Sequence, residues 1–143
     1  MREIKFRGMP IEDYGDTKWF YGNAIVNYDD KLAYIEASGQ GFVPVKWGTV
    51  SQYTGLKDEK GNEIYEGDIL KGPILYETPE NHSTTYSYWD ITYRNASFYL
   101  GDSTIEEDLD WILEECEVVG NIYENKELLK GAEKNDGITK RCL

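Results

Sequence analysis

Short alternations of apolar and polar residues run along most of the chain, and they predict a protein built mainly of strands. Ile4 and Phe6 alternate with Lys5 and Arg7, which predicts a half-buried strand with the two apolar side chains inward. The runs KWFYGNAIV and KLAYIEA flank NYDD, whose Asn and Asp residues favour a turn, so the three read as a hairpin. FVPV is short, and Pro44 has no N–H to give a ladder, which places it at an edge or a strand end. TVSQYT and DILKG read as two further strands. In YWDITYR, Trp89, Ile91 and Tyr93 fall on one face, and NA then turns the chain back into SFYL. CEVVGNIY is strand-like again, with Gly120 marking a bulge or a close approach of backbone.

The apolar period changes toward the C-terminus. Ser103 and Glu106 have the spacing of a capping box, and Ile105, Leu109, Ile112, Leu113 and Cys116 recur at helical intervals. This predicts a helix with one stripe on a core and with Glu106, Glu107 and Asp108 in its first turn, where the helix dipole favours acids. A second short helix is expected from Asn125 as N-cap, through Leu128 and Leu129, to a stop at Gly131. The polar run ETPENHSTT reads as a mobile loop. Residues 131–143 carry too little apolar content to pack and read as a loose tail.

These elements add up to one β-rich domain over residues 1–130, which suits a chain of 143 residues. The start, MREIKFRGMP, lacks the apolar run of a secretion signal, and no apolar run has the length of a membrane span, so the cytoplasm is the expected compartment. The two cysteines, Cys116 and Cys142, make no disulfide framework. The net charge of −12 repels nucleic acid at long range, and no basic face is evident.

The most patterned stretch is SQYTGLKDEKGNEIYEGDIL, Ser51 to Leu70. Its Gly and acidic residues suit turns. A type I turn followed by a left-handed Gly61 makes a bulged hairpin, and Asp58 fixes the turn entry by bonding backbone ahead of it. Gly67 between Glu66 and Asp68 marks a second turn, and Asp68 ties down backbone amides before ILKG. The spacing excludes an EF-hand loop, which needs its Gly at position six, and no phosphate-loop pattern is present.

This stretch resembles the signature of the YopX family of phage and prophage proteins. The likeness extends to REIKFRG at the start and VVGNIYENKELL near the end, in the family's order, and covers the chain up to Leu129. The signature positions are Tyr53, Gly55, Asp58, Gly61, Tyr65, Glu66, Gly67, Asp68, Gly120 and Asn121. Three departures stand out: Ser51 where relatives often have Gly, Met9-Pro10 for an aromatic-Asp pair, and Lys126 for the Pro that often follows Asn125. The resemblance implies a small, partly open, SH3-like β-barrel with one or two short helices, encoded by a phage and working in the bacterial host. It brings no catalytic residue.

Candidate chemistry is sparse. His82 is the single histidine and sits in the polar loop without spaced partners, so neither a zinc site nor a histidine-based catalytic triad is expected. Cys116 reads as a small buried hydrophobe and Cys142 as incidental. Glu66 and Asp68 have the proximity of an acid and base pair, but turn chemistry explains them. The acids Glu106, Glu107, Asp108, Asp110, Glu114 and Glu115 spread around a helix instead of converging on a cation. No cofactor or metal is expected. With twelve Tyr and four Trp, the aromatics exceed what a small core hides. Trp19, Tyr21, Tyr34, Trp47, Tyr86 and Tyr88 are the candidate contact surface, of the kind SH3-like barrels offer to Pro-rich peptides. Three readings follow. The favoured one is a non-enzymatic accessory protein that binds itself or a host or phage protein. The others are a carboxylate-dependent or metal-assisted enzyme and a nucleic-acid binder using Lys5, Arg7, Lys46 and Lys57.

Overall fold

The alternation along residues 20–45 becomes three strands joined by tight turns. In the computed structural model, which describes residues 2–75 and 84–129, the elements of the first part are β1 (Phe6–Gly8), β2 (Phe20–Asn27), β3 (Leu32–Ala37), β4 (Gly41–Val45), a 3-10 turn (Trp47–Thr49) and β5 (Ser51–Lys57). Then come β6 (Glu63–Tyr65), β7 (Asp68–Leu75), β8 (Thr84–Arg94), β9 (Ser97–Leu100), β10 (Ser103–Thr104), the helix α1 (Leu109–Glu115) and β11 (Glu117–Asn121). The protein is mainly β, with two antiparallel sheets of order β4-β3-β2-β1-β5-β6 and β10-β9-β8-β7-β11. The chain divides into two compact units, Met1–Gly55 and Leu56–Leu143. The hairpin of β5 and β6 therefore belongs to the second unit from Leu56 on.

In the first unit, the inward residues of β2, β3 and β4 make a core of Phe20, Ala33, Ile35, Ala37, Val43 and Val45. Phe6, Ala24, Trp47 and Val50 pack against it. The β4 edge is not bare. Lys46 N–H donates to the Met9 carbonyl at 2.8 Å, Ile11 N–H donates to the Pro44 carbonyl at 3.1 Å, and Pro10 bridges Val45. Gly8 permits this approach, because a Cβ there would stand 2.8 Å from a Val45 methyl. Pro44 lies on this edge strand, where its missing N–H costs nothing.

In the second unit, α1 covers one face of the β7–β8–β9 ladder. Its Trp111 and Ile112, with Cys116 just beyond, pack on Ile64, Leu70, Ile91 and Leu100. Gly72 on β7 leaves the room, since a Cβ there would lie 2.7 Å from the Trp111 ring and 2.8 Å from Cys116 Sγ. The shared face of Trp89, Ile91 and Tyr93 is present: Ile91 is buried, Trp89 stacks edge-on with Trp111 at 5.2 Å, and Tyr93 meets Phe98 at 5.0 Å. The turn at Asn95 and Ala96 has both residues at positive φ, 51° and 60°, which is the twist that a two-residue hairpin favours. The register of β11 against β7 slips between Val118 and Gly120, so Gly120 stands at a bulge. A Cβ on Gly120 would strike the Asn125 side chain at 2.5 Å.

Three expectations need correction. Around β1, Phe6 packs on the core as expected, but Ile4 is 52% exposed and Arg7 only 5%. The strand begins at Phe6, which leaves Ile4 outside it, and the Arg7 guanidinium carbon lies over the Trp19 ring, 4.4 Å from its centroid. The first helix does not start at Ser103. Ser103 and Thr104 pair with Leu100 and Tyr99 as β10, Thr104 Oγ1 accepts the Glu107 N–H at 3.3 Å, and the helix runs only from Leu109 to Glu115. Leu113 consequently falls outside the stripe and is 40% exposed. Asn125 does not cap a helix with its side chain. Its Oδ1 accepts the Asn121 N–H at 3.2 Å, and residues 126–129 form a 3-10 turn. Of the expected loop ETPENHSTT, Thr84 and Thr85 instead open β8, and residues 77–83, with His82, lie outside the described residues, as do Tyr76 and residues 131–143. No helix among the described residues is long and apolar enough to cross a membrane.

Candidate interaction surface

The signature residues of the second unit form a brace. The Asp58 carboxylate is buried and accepts four hydrogen bonds. Oδ1 takes the N–H groups of Lys60 at 2.9 Å and Asn62 at 2.8 Å, while Oδ2 takes the Asn62 side-chain amide at 3.0 Å and the Val118 N–H at 2.8 Å. Burial pushes the Asp58 pKa up, but the bonds from Val118, Asn62 and Lys60 outweigh it and hold it below its ordinary value. The same turn bonds onward through Glu59 N–H to the Cys116 carbonyl at 3.0 Å and through the Lys60–Glu117 ion pair at 2.8 Å. Asp58 thus fixes its own turn and also clips it to the start of β11. Gly61, at φ 82°, closes the turn with open space around it.

The second turn is built the same way. Asp68, 1% exposed, accepts the Tyr65 N–H at 2.7 Å, and the buried Tyr65 bonds Glu63 through its hydroxyl at 3.0 Å. Gly67, at φ 86°, donates to the Ile91 carbonyl and accepts from Ile122, both at 2.8 Å, with the Tyr123 ring 3.1 Å from where a Cβ would stand. Glu66 is half-buried beside it. Asn121 takes the N–H groups of Tyr123 at 3.0 Å and Glu124 at 2.9 Å on its Oδ1. Tyr53 is buried in the first unit beneath Lys5, and Gly55 is at φ 91°. Asp58, Asp68 and Asn121 thus each hold backbone with their side-chain oxygens. Among the described residues, no three His, Cys, Asp or Glu side chains converge in a way that holds a metal ion. Of the basic set, Arg7 is buried against Trp19 and Lys5 pairs with Glu3 at 3.0 Å.

What stays open is aromatic and aliphatic. On the outer face of β2, β3 and β4 the register aligns Ile25 with Tyr34 and Tyr34 with Pro44, and sets Glu36 beside Phe42. Ile25 is 51% exposed, Leu32 47% and Phe42 56%. At the turn after β2, Tyr28 is 77% exposed and meets Trp47 edge-on at 5.3 Å. Of the residues expected at a contact surface, Tyr34 belongs here, half-buried Trp47 packs on the inner core instead, and Tyr21 is exposed on β2 opposite Arg7. Trp19 is half-buried under Arg7 and is not part of this face. Tyr86 and Tyr88 lie on β8 in the other unit, where Lys71 sits 4.7 Å over the Tyr86 ring. Ile25, Tyr28, Leu32 and Phe42 are additions. The outward phase of Ile25 and Leu32 was present in the strand alternation.

Charge divides unevenly between the units. Residues 1–55 carry six Lys and Arg against seven Asp and Glu, whereas residues 56–143 carry nine against twenty. The apolar outer face therefore lies on the unit that is almost neutral.

Comparison with known proteins agrees with the signature. A family model described as YopX protein matches residues 13–130, which takes in most of both units. No curated protein matches the chain. Among solved structures, the crystal structure of protein EF1440 from Enterococcus faecalis is similar, at 25% identity over 90% of this chain and 99% of that chain, with a TM-score of 0.47.

Proposed function

We propose that this chain, which belongs to the YopX family, is a non-enzymatic accessory module that acts through protein contacts. The observation that carries the reading is the outer face of β2, β3 and β4, where Ile25, Leu32 and Phe42 are each about half exposed beside Tyr34. Monomeric proteins rarely leave contiguous apolar surface of several hundred Å² without a use for it. The Asp58 and Asp68 carboxylates, by contrast, are occupied with backbone. On this reading the domain is a small, partly open barrel of the SH3-like kind with an N-terminal hairpin region. The setting is the cytoplasm of a bacterium that carries the phage or prophage encoding the chain.

The test uses a tagged and an untagged copy of the chain produced together in bacterial cells. Proteins recovered on the tag are identified for the wild type and for Ile25→Lys with Phe42→Lys. The reading expects the double variant to lose proteins that the wild type retains, untagged copies included. An identical recovered set from both would refute it.

A further inference from the structure

A protein-contact face needs an occupant, and three features of this one select for a second copy of the same chain. The first is its charge. A basic partner would be drawn to residues 56–143, where the acidic excess lies, and not to a unit with six cations against seven acids. Glu36 is the one charged side chain in the rows that join β2, β3 and β4 across this face, and the Asn23 amide holds it at 3.1 Å. Two such faces meet with little repulsion.

The second feature is symmetry. Tyr34 is the middle of the row Ile25–Tyr34–Pro44, with an apolar neighbour on either side. A twofold axis lying in the plane of the face and running across the strands, along the row Ile25–Tyr34–Pro44, sets Tyr34 against the partner's Tyr34 and Glu36 against the partner's Leu32, so the two Glu36 carboxylates lie at opposite ends of the contact. An isologous contact requires this self-matching. The third feature is the edge. Residues 9–11 cover β4, and Pro44 offers no N–H, so a partner strand finds no free ladder there to extend. The contact open to a second copy is face to face, which closes at two copies.

We infer that the outer face of β2, β3 and β4 pairs two copies of this chain into a symmetric dimer, an inference that rests on the reading of this face as a protein-contact surface. Size exclusion coupled to light scattering on the full chain at tens of micromolar tests it. The wild type is expected at twice the chain mass of 16.5 kDa. Ile25→Lys with Phe42→Lys is expected at the single-chain mass, with an unchanged circular dichroism spectrum because both side chains point outward. Tyr86→Lys in the other unit is expected to leave the dimer intact. A monomeric wild type overturns the inference, as does a dimer that survives the double substitution. A monomeric wild type that still retains another protein, lost in the double variant, gives the face to that protein. That outcome refutes the dimer and keeps the proposed function.

Discussion

Replacing Asp58 with Ala removes the acceptor for four donors in one step. Hydrogen bonds to a charged group contribute roughly 1.5–3 kcal/mol each, and a buried donor left bare costs roughly 1–3 kcal/mol. The Lys60 and Asn62 amides sit in an exposed turn and regain water, whereas the Val118 N–H is at a half-buried strand start and does so poorly. Bonds that share one acceptor do not add, so the expected loss is about 3–4 kcal/mol. That is a large part of the ~5–15 kcal/mol that holds a domain together. Asp58→Asn keeps Oδ1 for two amides but turns its NH₂ toward the Asn62 amide and the Val118 N–H, so it is expected to cost about 2 kcal/mol. The effect has a pH signature. The Asp58 pKa is lowered in the folded state, so its contribution is complete above the unfolded Asp value of about 3.9 and is lost as pH falls through the lower folded value. The gap between wild type and Asp58→Ala is therefore flat at neutral pH and narrows below about pH 4. Urea unfolding at a series of pH values reads the gap, and hydrogen exchange at the Val118 amide locates it, because Trp fluorescence reports from both units. A gap under about 1 kcal/mol at neutral pH, or one that persists unchanged at about pH 2, would refute the brace.

Other substitutions probe the same architecture, each by thermal or urea unfolding. Gly72→Ala drives a methyl into Trp111 and Cys116 and is expected to cost about 1–3 kcal/mol; wild-type stability would show that α1 shifts freely. Gly61→Ala, with open space around it, is expected to lose about 1 kcal/mol through its left-handed backbone alone. Gly67→Ala is expected to lose more, because the Tyr123 ring must also move; equal losses would exclude that contact as a cause. Ala96→Gly relieves a left-handed Ala in the β8–β9 turn and is expected to stabilise by about 0.5–1 kcal/mol, the relief exceeding the added freedom of the unfolded chain. A destabilised Ala96→Gly would mean that the turn is held by something other than its backbone geometry.

Much of the fold was legible because it is local. The NYDD hairpin and the NA turn each depend on residues within a strand's length of one another. What escaped depends on partners far along the chain. Arg7 is buried because Trp19 covers it, and no window around Arg7 contains that ring. The helix starts late because β9 recruits Ser103 and Thr104 into its ladder before helical bonds claim them. Asp58 was readable as a turn residue, but its bond to Val118 was not. The contact face was half legible. Aromatic surplus named Tyr34, but a count of rings does not say which side of a strand faces water, so Phe42 and Ile25 were missed and Trp19 and Trp47 were included.

The clip from Asp58 to Val118 also sets an order of events. It spans 60 residues, whereas the turn between β2 and β3 bridges Asn27 to Leu32. Loop-closure entropy grows with the logarithm of the span, which makes the long closure dearer by roughly 2–3 kcal/mol. The hairpins of the first unit close early, and β11 comes last. On a ribosome adding ~5–20 residues per second, the interval between Asp58 and Val118 is roughly 3–12 s. Throughout it, β7 carries a strand edge with no neighbour on the β11 side, open to pairing with other nascent chains. The arrival of β11 fills that edge and seats the Asp58 brace in the same movement, so the step that ends the exposure also locks the unit.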